Sequence, residues 1–173
     1  MTEELVISRN IQIKGSIGFL IGQMDDVRNL LLKEIEGLTQ EVIDFTPNIH
    51  KIETIGTLLF HIADVENSWM FEFVDGEKLD MESWKYAFPL RQSLDPPQLT
   101  GKPLEHYLEI LRETREKVRN RVARFREADA TRMFSNDWAK YSLEWVLYHN
   151  QQHESHHVGQ INLLKRLYEL LRT

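Results

Sequence analysis

Four long stretches of the chain repeat apolar residues at the three- and four-residue spacing that places them on one face of an α-helix. The first predicted helix runs roughly from Ser16 to Glu36, and the second from Glu53 to Val74. The third begins near Pro103 and continues to Phe125, and the fourth begins at Ser142 and runs almost to the C-terminus. Strand signals are poor. The sequence therefore predicts an all-α fold, a four-helix bundle in which each helix buries one apolar stripe.

A long connection separates the second predicted helix from the third. From Gly76 to Gly101 the helical pattern breaks down, because its prolines disfavour a regular helix, with room only for a short helical turn around residues 81–87. Such a link is a crossover connection, which lets the two helices that it joins run parallel. Residues 128–141 are expected to be irregular. No repeat or linker divides residues 1–173, so we expect a single domain.

The composition excludes several classes of protein. The chain has 173 residues, a net charge of −6 and no cysteine, which rules out disulfides, thiolate metal sites and a cysteine nucleophile. Its acidic and basic residues are interspersed, which argues against a nucleic-acid partner. No apolar run approaches the roughly 18–20 residues that span a bilayer, and the N-terminus lacks the basic region of a signal peptide. We therefore expect a cytoplasmic protein with no membrane partner.

The fourth predicted helix carries two histidines at the centre of its buried stripe. His153 and His157 are four residues apart, so they point in directions only about 40° apart around the helix. Apolar residues of the same helix, from Leu143 to Tyr168, surround that direction. A buried polar ring without a partner costs roughly 1–3 kcal/mol. A bound metal ion would explain the pair, and the alternative is that both are hydrogen-bonded core histidines.

A metal site needs a further ligand from another helix, because a catalytic zinc ion typically has about three protein ligands. His61, in the middle of the second predicted helix and beside its apolar stripe, is the best candidate among the seven histidines. His149 extends the row on the fourth helix, but its Cα lies about 12 Å from that of His157. The remaining histidines lie in a loop or away from the inward direction of their helices: His50, His106 and His156.

Three polar residues are candidate catalytic groups: Glu66 and Asn150, which lie on the predicted buried stripes, and Gln160. A buried carboxylate such as Glu66 is either paired or functional, and we favour an ion pair with Arg115 on the third helix. Asn150, one turn before the histidine pair, could hydrogen-bond a ligand or substrate, or simply backbone and water. Gln160, about one turn after the pair, could orient a ligand histidine through its second ring nitrogen, or join two helices.

Other polar and aromatic residues receive weaker assignments. Asp64 points away from the stripe of the second helix, so it is expected to face solvent or to support a ligand from behind. Aromatic residues in the irregular segments either line a substrate mouth or cap the ends of the bundle, and we favour capping: Trp84, Tyr86, Phe88 and Trp138.

Two segments, Ile55–Glu66 and His153–Ile161, resemble the signature segments of the DinB superfamily, a family of metalloenzymes. The resemblance covers essentially the whole chain in helix order, helix lengths and crossover. It implies two parallel pairs of helices and one divalent metal ion, zinc or nickel, bound by His61, His153 and His157. It also implies remaining coordination positions for water or substrate, and a homodimer. Some relatives transfer the sulfur of a low-molecular-weight thiol, such as bacillithiol or mycothiol, to an electrophile, whereas most members have no assigned reaction.

The leading hypothesis is a metal-dependent enzyme for a small-molecule substrate, either a hydrolase or a low-molecular-weight-thiol S-transferase. An ion bound by neutral imidazoles keeps its full charge, so it lowers the pKa of bound water towards about 7 and equally stabilises a thiolate. The alternative is a non-catalytic helical bundle, stabilised by a metal sealed from solvent, that acts as an interaction or dimerisation module. In a third reading there is no metal, and the histidines are core residues bonded to Glu66, Asn150 or water.

Overall fold

The computed structural model describes residues 13–47, 52–80, 82–87, 90 and 97–172. It confirms the all-α class. The helices in chain order are α1 (Gly15–Ile35), the one-turn α2 (Gln40–Ile43), α3 (Ile55–Asn67), α4 (Leu104–Val122) and α5 (Leu143–Leu171). Helix α3 continues directly as a π-helical extension over Ser68–Val74. A 3-10 turn covers Glu127–Asp129, and an antiparallel hairpin of β1 (Met133–Ser135) and β2 (Lys140–Ser142) precedes α5.

The long helices begin and end close to the predicted residues. Helix α3 begins after Thr54, whose side-chain oxygen accepts a hydrogen bond from the Thr57 amide. Helix α5 begins after Ser142, the predicted N-cap, whose hydroxyl oxygen accepts a hydrogen bond from the Trp145 amide. Helix α1 ends just before Gly37, which adopts a φ of 70° that few other residues tolerate. Local capping chemistry therefore sets these boundaries.

The hairpin lies in a stretch that the sequence predicts to be irregular, so that prediction is wrong in part. Phe134 pairs with Tyr141 across the two strands, and their rings stack with centroids 6.4 Å apart. The side-chain oxygen of Asn136 ties the turn by accepting from the amides of Trp138 and Ala139. Each strand has only three residues. An alternating pattern this short does not stand out in a sequence.

Among the helices that the structure describes, α3 is the most buried. It packs against both α4 and α5, while α1 packs against α5. Every residue of α3 up to Glu66 is consequently buried. The prediction that Asp64 faces solvent is wrong, because the residue is 0% exposed. That prediction assumed that a helix buries only one apolar stripe, whereas α3 has neighbours on more than one side. The alternative, that Asp64 supports a metal ligand from behind, stays a prediction.

The connection between α3 and α4 is anchored to the first turn of α3. The amide of Leu99 donates a hydrogen bond of 2.9 Å to Oγ1 of Thr57. Of the short turn predicted around residues 81–87, the described part, 82–87, forms turns. Ala87 and Leu99 are both buried in the same core cluster as the apolar residues of α3. The crossover therefore covers part of the helix that carries His61.

Gly56 of α3 lies against Tyr107 of α4. A Cβ at this position would lie 2.4 Å from the Tyr107 hydroxyl oxygen and 3.2 Å from the carbonyl oxygen of Leu99. We expect Gly56→Ala to lower the free energy of unfolding by about 1–3 kcal/mol through overpacking. Urea unfolding followed by circular dichroism measures this change.

Gly159→Ala is the matched control for that substitution. Gly159 is exposed in α5, and nothing lies within 4 Å of where its Cβ would be. Alanine there should stabilise the helix by up to about 1 kcal/mol. Equal effects of the two substitutions would contradict the close packing of α3 on α4.

Candidate metal centre

Three imidazoles from two packed helices meet at one point. Helix α3 supplies His61, and α5 supplies His153 and His157. Nε2 of His153 lies 3.0 Å from Nε2 of His157 and 3.2 Å from Nε2 of His61. One ring nitrogen from each residue belongs to a group whose members all lie within 4.8 Å of one another. The fold therefore brings the three predicted ligands together.

Hydrogen bonds alone do not satisfy this arrangement. A neutral Nε2 carries either one hydrogen or one lone pair in the ring plane, so it makes one directed interaction. Nε2 of His153 has two close nitrogen neighbours, so at most one of the two contacts is a hydrogen bond. Two nitrogens bound to one tetrahedral zinc ion lie roughly 3.3 Å apart. The observed separations of 3.0 and 3.2 Å match that geometry, and the donor set fits a divalent metal ion.

Burial keeps two of these imidazoles neutral at neutral pH. It lowers the pKa of His157 to about 4, against the opposing effect of a hydrogen bond to Gln160. Burial also lowers the pKa of His153 far below its ordinary value, and the neighbouring His157 and His61 act in the same direction. The neutral imidazole is the form that binds a metal ion.

Gln160 fixes the orientation of the His157 ring through its other nitrogen. Oε1 of Gln160 lies 2.5 Å from Nδ1 of His157. Because an amide oxygen accepts a hydrogen bond, Nδ1 carries the hydrogen, and Nε2 keeps its lone pair facing the other two rings. Gln160 thus contacts the ring nitrogen that its sequence position suggested, and its role in supporting a metal ligand stays a prediction.

Removing this contact should weaken metal binding. We expect Gln160→Ala to lower the affinity for zinc by about 10–100-fold, because the ring loses the partner that sets its tautomer and orientation. Gln152→Ala, at an exposed position of the same helix, is the matched control and should leave the affinity unchanged. Competition with a chelating dye measures both values. An undiminished affinity in Gln160→Ala would show that this amide does not support the centre.

The lowered pKa of His157 predicts how the metal-free protein responds to acid. The imidazole titrates near 6.5 in the unfolded chain and near 4 in the folded protein. Between these values the unfolded state binds more protons, so the free energy of unfolding falls as the pH falls. The melting temperature should therefore decrease from pH 6.5 to pH 4. An equally steep decrease in His157→Gln, measured by differential scanning calorimetry, would rule out this cause.

Glu66 belongs to a cluster of buried charges and does not line the pocket described below. Its Oε2 lies 2.8 Å from Nη2 of Arg28, and its carboxylate also pairs with Arg115, as predicted. Glu154 on α5 pairs with both arginines. Burial acts to raise the pKa of Glu66, but the guanidinium groups of Arg115 and Arg28 outweigh it and hold the pKa below its ordinary value. A carboxylate held in this way is a poor general base.

Asn150, the other candidate on α5, lies near the centre without a visible role in it. Its side chain is 4% exposed, and neither amide atom has a hydrogen-bond partner in the described part of the chain. Buried amides of this kind are ordinarily satisfied by an internal water molecule. A role towards a ligand or substrate stays a prediction.

A pocket of about 550 Å³ opens onto His61 and His153. Its walls come from the π-helical extension of α3, from the hairpin turn and from the first turns of α5. On these walls Trp69 contacts Trp145 and His149 edge-on, with ring centroids 5.1 and 4.9 Å apart. The volume is typical of a small-molecule site. The three-histidine group is thus accessible from a cavity.

Two pocket residues, Trp145 and His149, continue the row of His153 on α5, and of these two only His149 was singled out from the sequence. Together with His153 they recur every four residues, so they share one face of α5. Trp138 lines the pocket, contrary to the favoured capping role. Trp84 instead packs on Phe60 in the core. Tyr86 also packs against that core, and Phe88 lies outside the described residues.

Neither His106 nor His156 belongs to the group of three histidines. His106 on α4 contacts the ring of Tyr107, and His156 is exposed on α5. His50 lies outside the described residues. A larger depression of about 700 Å³, lined by residues of α1, α2 and α4, contains no histidine. The pocket beside the three imidazoles is therefore the candidate active site.

Comparisons with known proteins bear on this site. None of the described helices combines the length and the apolar character needed to cross a membrane. A comparison with curated proteins finds no match for this chain. The family model of the DinB superfamily matches residues 23–161, which include all three histidines of the centre. Because the match extends over most of the sequence, the chain belongs to the DinB superfamily.

Proposed function

We propose that this protein is a metal-dependent enzyme that acts on a small organic molecule, with one divalent ion bound by His61, His153 and His157. The observation that carries the proposal is the pocket that opens onto His61 and His153. A structural metal site is closed, whereas a catalytic site keeps a coordination position open towards substrate. A cavity against two of the three ligands supports the catalytic kind of site.

The chain's own residues would hold and orient the ion. Three imidazoles supply neutral ligands, and Gln160 sets the tautomer of His157. Bound there, zinc or nickel would supply a Lewis acid that makes a water molecule or a thiol a better nucleophile at neutral pH. The aromatic walls would position the organic part of the substrate and limit the access of bulk water. His149, on the same walls, offers an imidazole able to accept a proton.

The reaction is either hydrolysis or transfer of a low-molecular-weight thiol to an electrophile. Both need the same ion and the same open position, and they differ in whether water or a thiol attacks the substrate. The non-catalytic alternative, a metal-stabilised interaction module, needs a closed centre instead. The pocket favours the two enzymatic forms over that alternative.

The test is a turnover screen of the zinc- and nickel-loaded protein, with and without added thiol. Nitrophenyl esters report hydrolysis, and 1-chloro-2,4-dinitrobenzene reports thiol transfer. His61→Ala is the inactive reference, and His156→Ala, beside the centre but exposed, is the matched control. Turnover that needs thiol would identify an S-transferase, and turnover without thiol a hydrolase. Loaded protein without activity in either screen would support the non-catalytic module.

A further inference from the structure

Two buried carboxylates lie on the helices that carry the three histidines of the centre. Glu66 follows His61 by five residues on α3, and Glu154 lies between His153 and His157 on α5. At a rise of about 1.5 Å per residue, each carboxylate is less than about 8 Å along the helix axis from the histidines of its own helix. Whatever holds the two carboxylates in place therefore also holds the backbone that carries the imidazoles.

Two arginines hold both carboxylates, and they come from α1 and α4, which carry none of the three histidines. Nη2 of Arg28, on α1, lies 2.8 Å from Oε2 of Glu66 and 3.2 Å from Oε2 of Glu154. Nη2 of Arg115, on α4, lies 2.8 Å from the same oxygen of Glu154, and its Nε donates to Oε1 of Glu66. Each guanidinium group therefore bridges α3 to α5.

These bridges restrict the register of α5 against α3 more closely than apolar packing does. A slip of one residue moves a side chain by about 1.5 Å along the helix axis and turns it by about 100°. Apolar burial has no preferred direction, whereas a planar guanidinium group donates in fixed directions. A buried charge that loses its partner is also strongly destabilising. Fixing a register is the best-attested structural role of buried polar and ionic groups.

We propose that Arg28 and Arg115 are positioning residues for the three-histidine centre. By holding Glu66 and Glu154 in one register, they keep the ring of His61 against those of α5, so that the three Nε2 atoms converge. Metal–ligand distances in proteins vary by only about 0.2 Å, so a small shift of one helix lowers the affinity for an ion. The consequence for metal binding rests on the proposed function, whereas the placement of the rings does not.

Arg28→Lys tests this role, because lysine keeps the positive charge but its single ammonium group does not reproduce the planar fork that bridges two carboxylates. We expect the substitution to lower the affinity for zinc about tenfold, measured by competition with a chelating dye. Cobalt(II) bound in place of zinc reports the geometry of its ligands, so its visible absorption spectrum should change as well. An unchanged affinity together with an unchanged cobalt spectrum would overturn the proposal.

Ile17→Ala is the control for a loss of stability alone. Ile17 is buried on α1, in a core cluster that contains none of the histidines, and alanine there leaves a cavity. It precedes Arg28 by about 16 Å along the helix. Both substitutions should lower the melting temperature, but Ile17→Ala should keep the zinc affinity and the cobalt spectrum of the unmodified protein. Equal losses of affinity in the two variants would overturn the proposal.

Metal-free protein separates this inference from the proposed function. Nuclear Overhauser effects between the ring protons of His61 and His153, whose centroids lie 4.9 Å apart, report the contact of the two rings. The contact should be present in the unmodified protein and lost in Arg28→Lys and in the second variant, Arg115→Lys. That loss in a protein that binds no metal would uphold the positioning role and remove the enzymatic proposal. An active, metal-loaded protein whose two variants keep the contact and the affinity would do the reverse.

Discussion

Replacing Glu66 with glutamine is expected to lower the free energy of unfolding by about 3–5 kcal/mol, because it removes one partner from a buried cluster of charges. The cluster joins the long helices: Arg28 from α1, Glu66 from α3, Arg115 from α4 and Glu154 from α5. Each of these residues is at most 6% exposed. Glutamine has nearly the volume of glutamate, so the substitution changes charge far more than packing.

Further contacts hold the two arginines in place. Nη1 of Arg28 donates a hydrogen bond of 2.8 Å to the carbonyl oxygen of Leu111. Nη1 of Arg115 donates a hydrogen bond of 2.8 Å to the carbonyl oxygen of Met24. With Glu66 neutralised, only Glu154 and the partly buried Asp25, which lies 3.3 Å from Nη1 of Arg115, would balance the two guanidinium groups. An uncompensated buried charge is among the costliest single defects in a protein interior.

Urea unfolding at pH 7 measures this effect, and Glu116→Gln provides the control. Glu116 also pairs with an arginine, Arg112, but its side chain is 64% exposed. Solvent-exposed pairs contribute little, so we expect a change within about 0.5 kcal/mol for the control. A similar small change for Glu66→Gln would mean that the cluster does not stabilise the fold.

Zinc is expected to raise the melting temperature of the protein, and to lose that effect in His61→Ala and His153→Ala. A ligand that binds only the folded state stabilises it by mass action, by about 2.7 kcal/mol when free ligand is a hundred times the dissociation constant. The remaining two imidazoles would bind zinc far more weakly, because a site normally needs at least about three protein ligands.

His156→Ala is the control for these variants. His156 neighbours His157 in sequence and contacts its ring, yet it is exposed and does not belong to the group of three. His156→Ala should keep the full zinc-dependent increase in melting temperature, which differential scanning calorimetry measures. An equal increase in His61→Ala would show that zinc stabilises the protein through another site.

Periodicity predicted the helices well because each long helix repeats its apolar residues over several turns. The proximity of His153 and His157 was also predictable, because residues four apart lie on the same face of a helix regardless of its tertiary contacts. His61 is the best candidate for a third ligand from the sequence alone because it lies beside the apolar stripe of the second predicted helix, and the resemblance to the DinB superfamily implies the same residue. The two parallel helix pairs that the resemblance implies stay a prediction.

Other features depend on contacts that no local pattern contains. Arg28 and Glu154 lie 126 residues apart in the chain, and nothing near either one indicates the pairing. Asp64 is buried because α3 has neighbours on more than one side. The hairpin is too short to produce a strand pattern. These features follow from tertiary packing. The apolar stripe of a single helix does not show which residues become buried when the helix has several neighbours.

The most direct test of the metal centre is elemental analysis of protein purified without an affinity tag. The account predicts about one divalent ion per chain in the unmodified protein and in His156→Ala, and little or none in His61→Ala and His153→Ala. Protein that contains no metal, and takes up none on incubation with zinc or nickel, would contradict it.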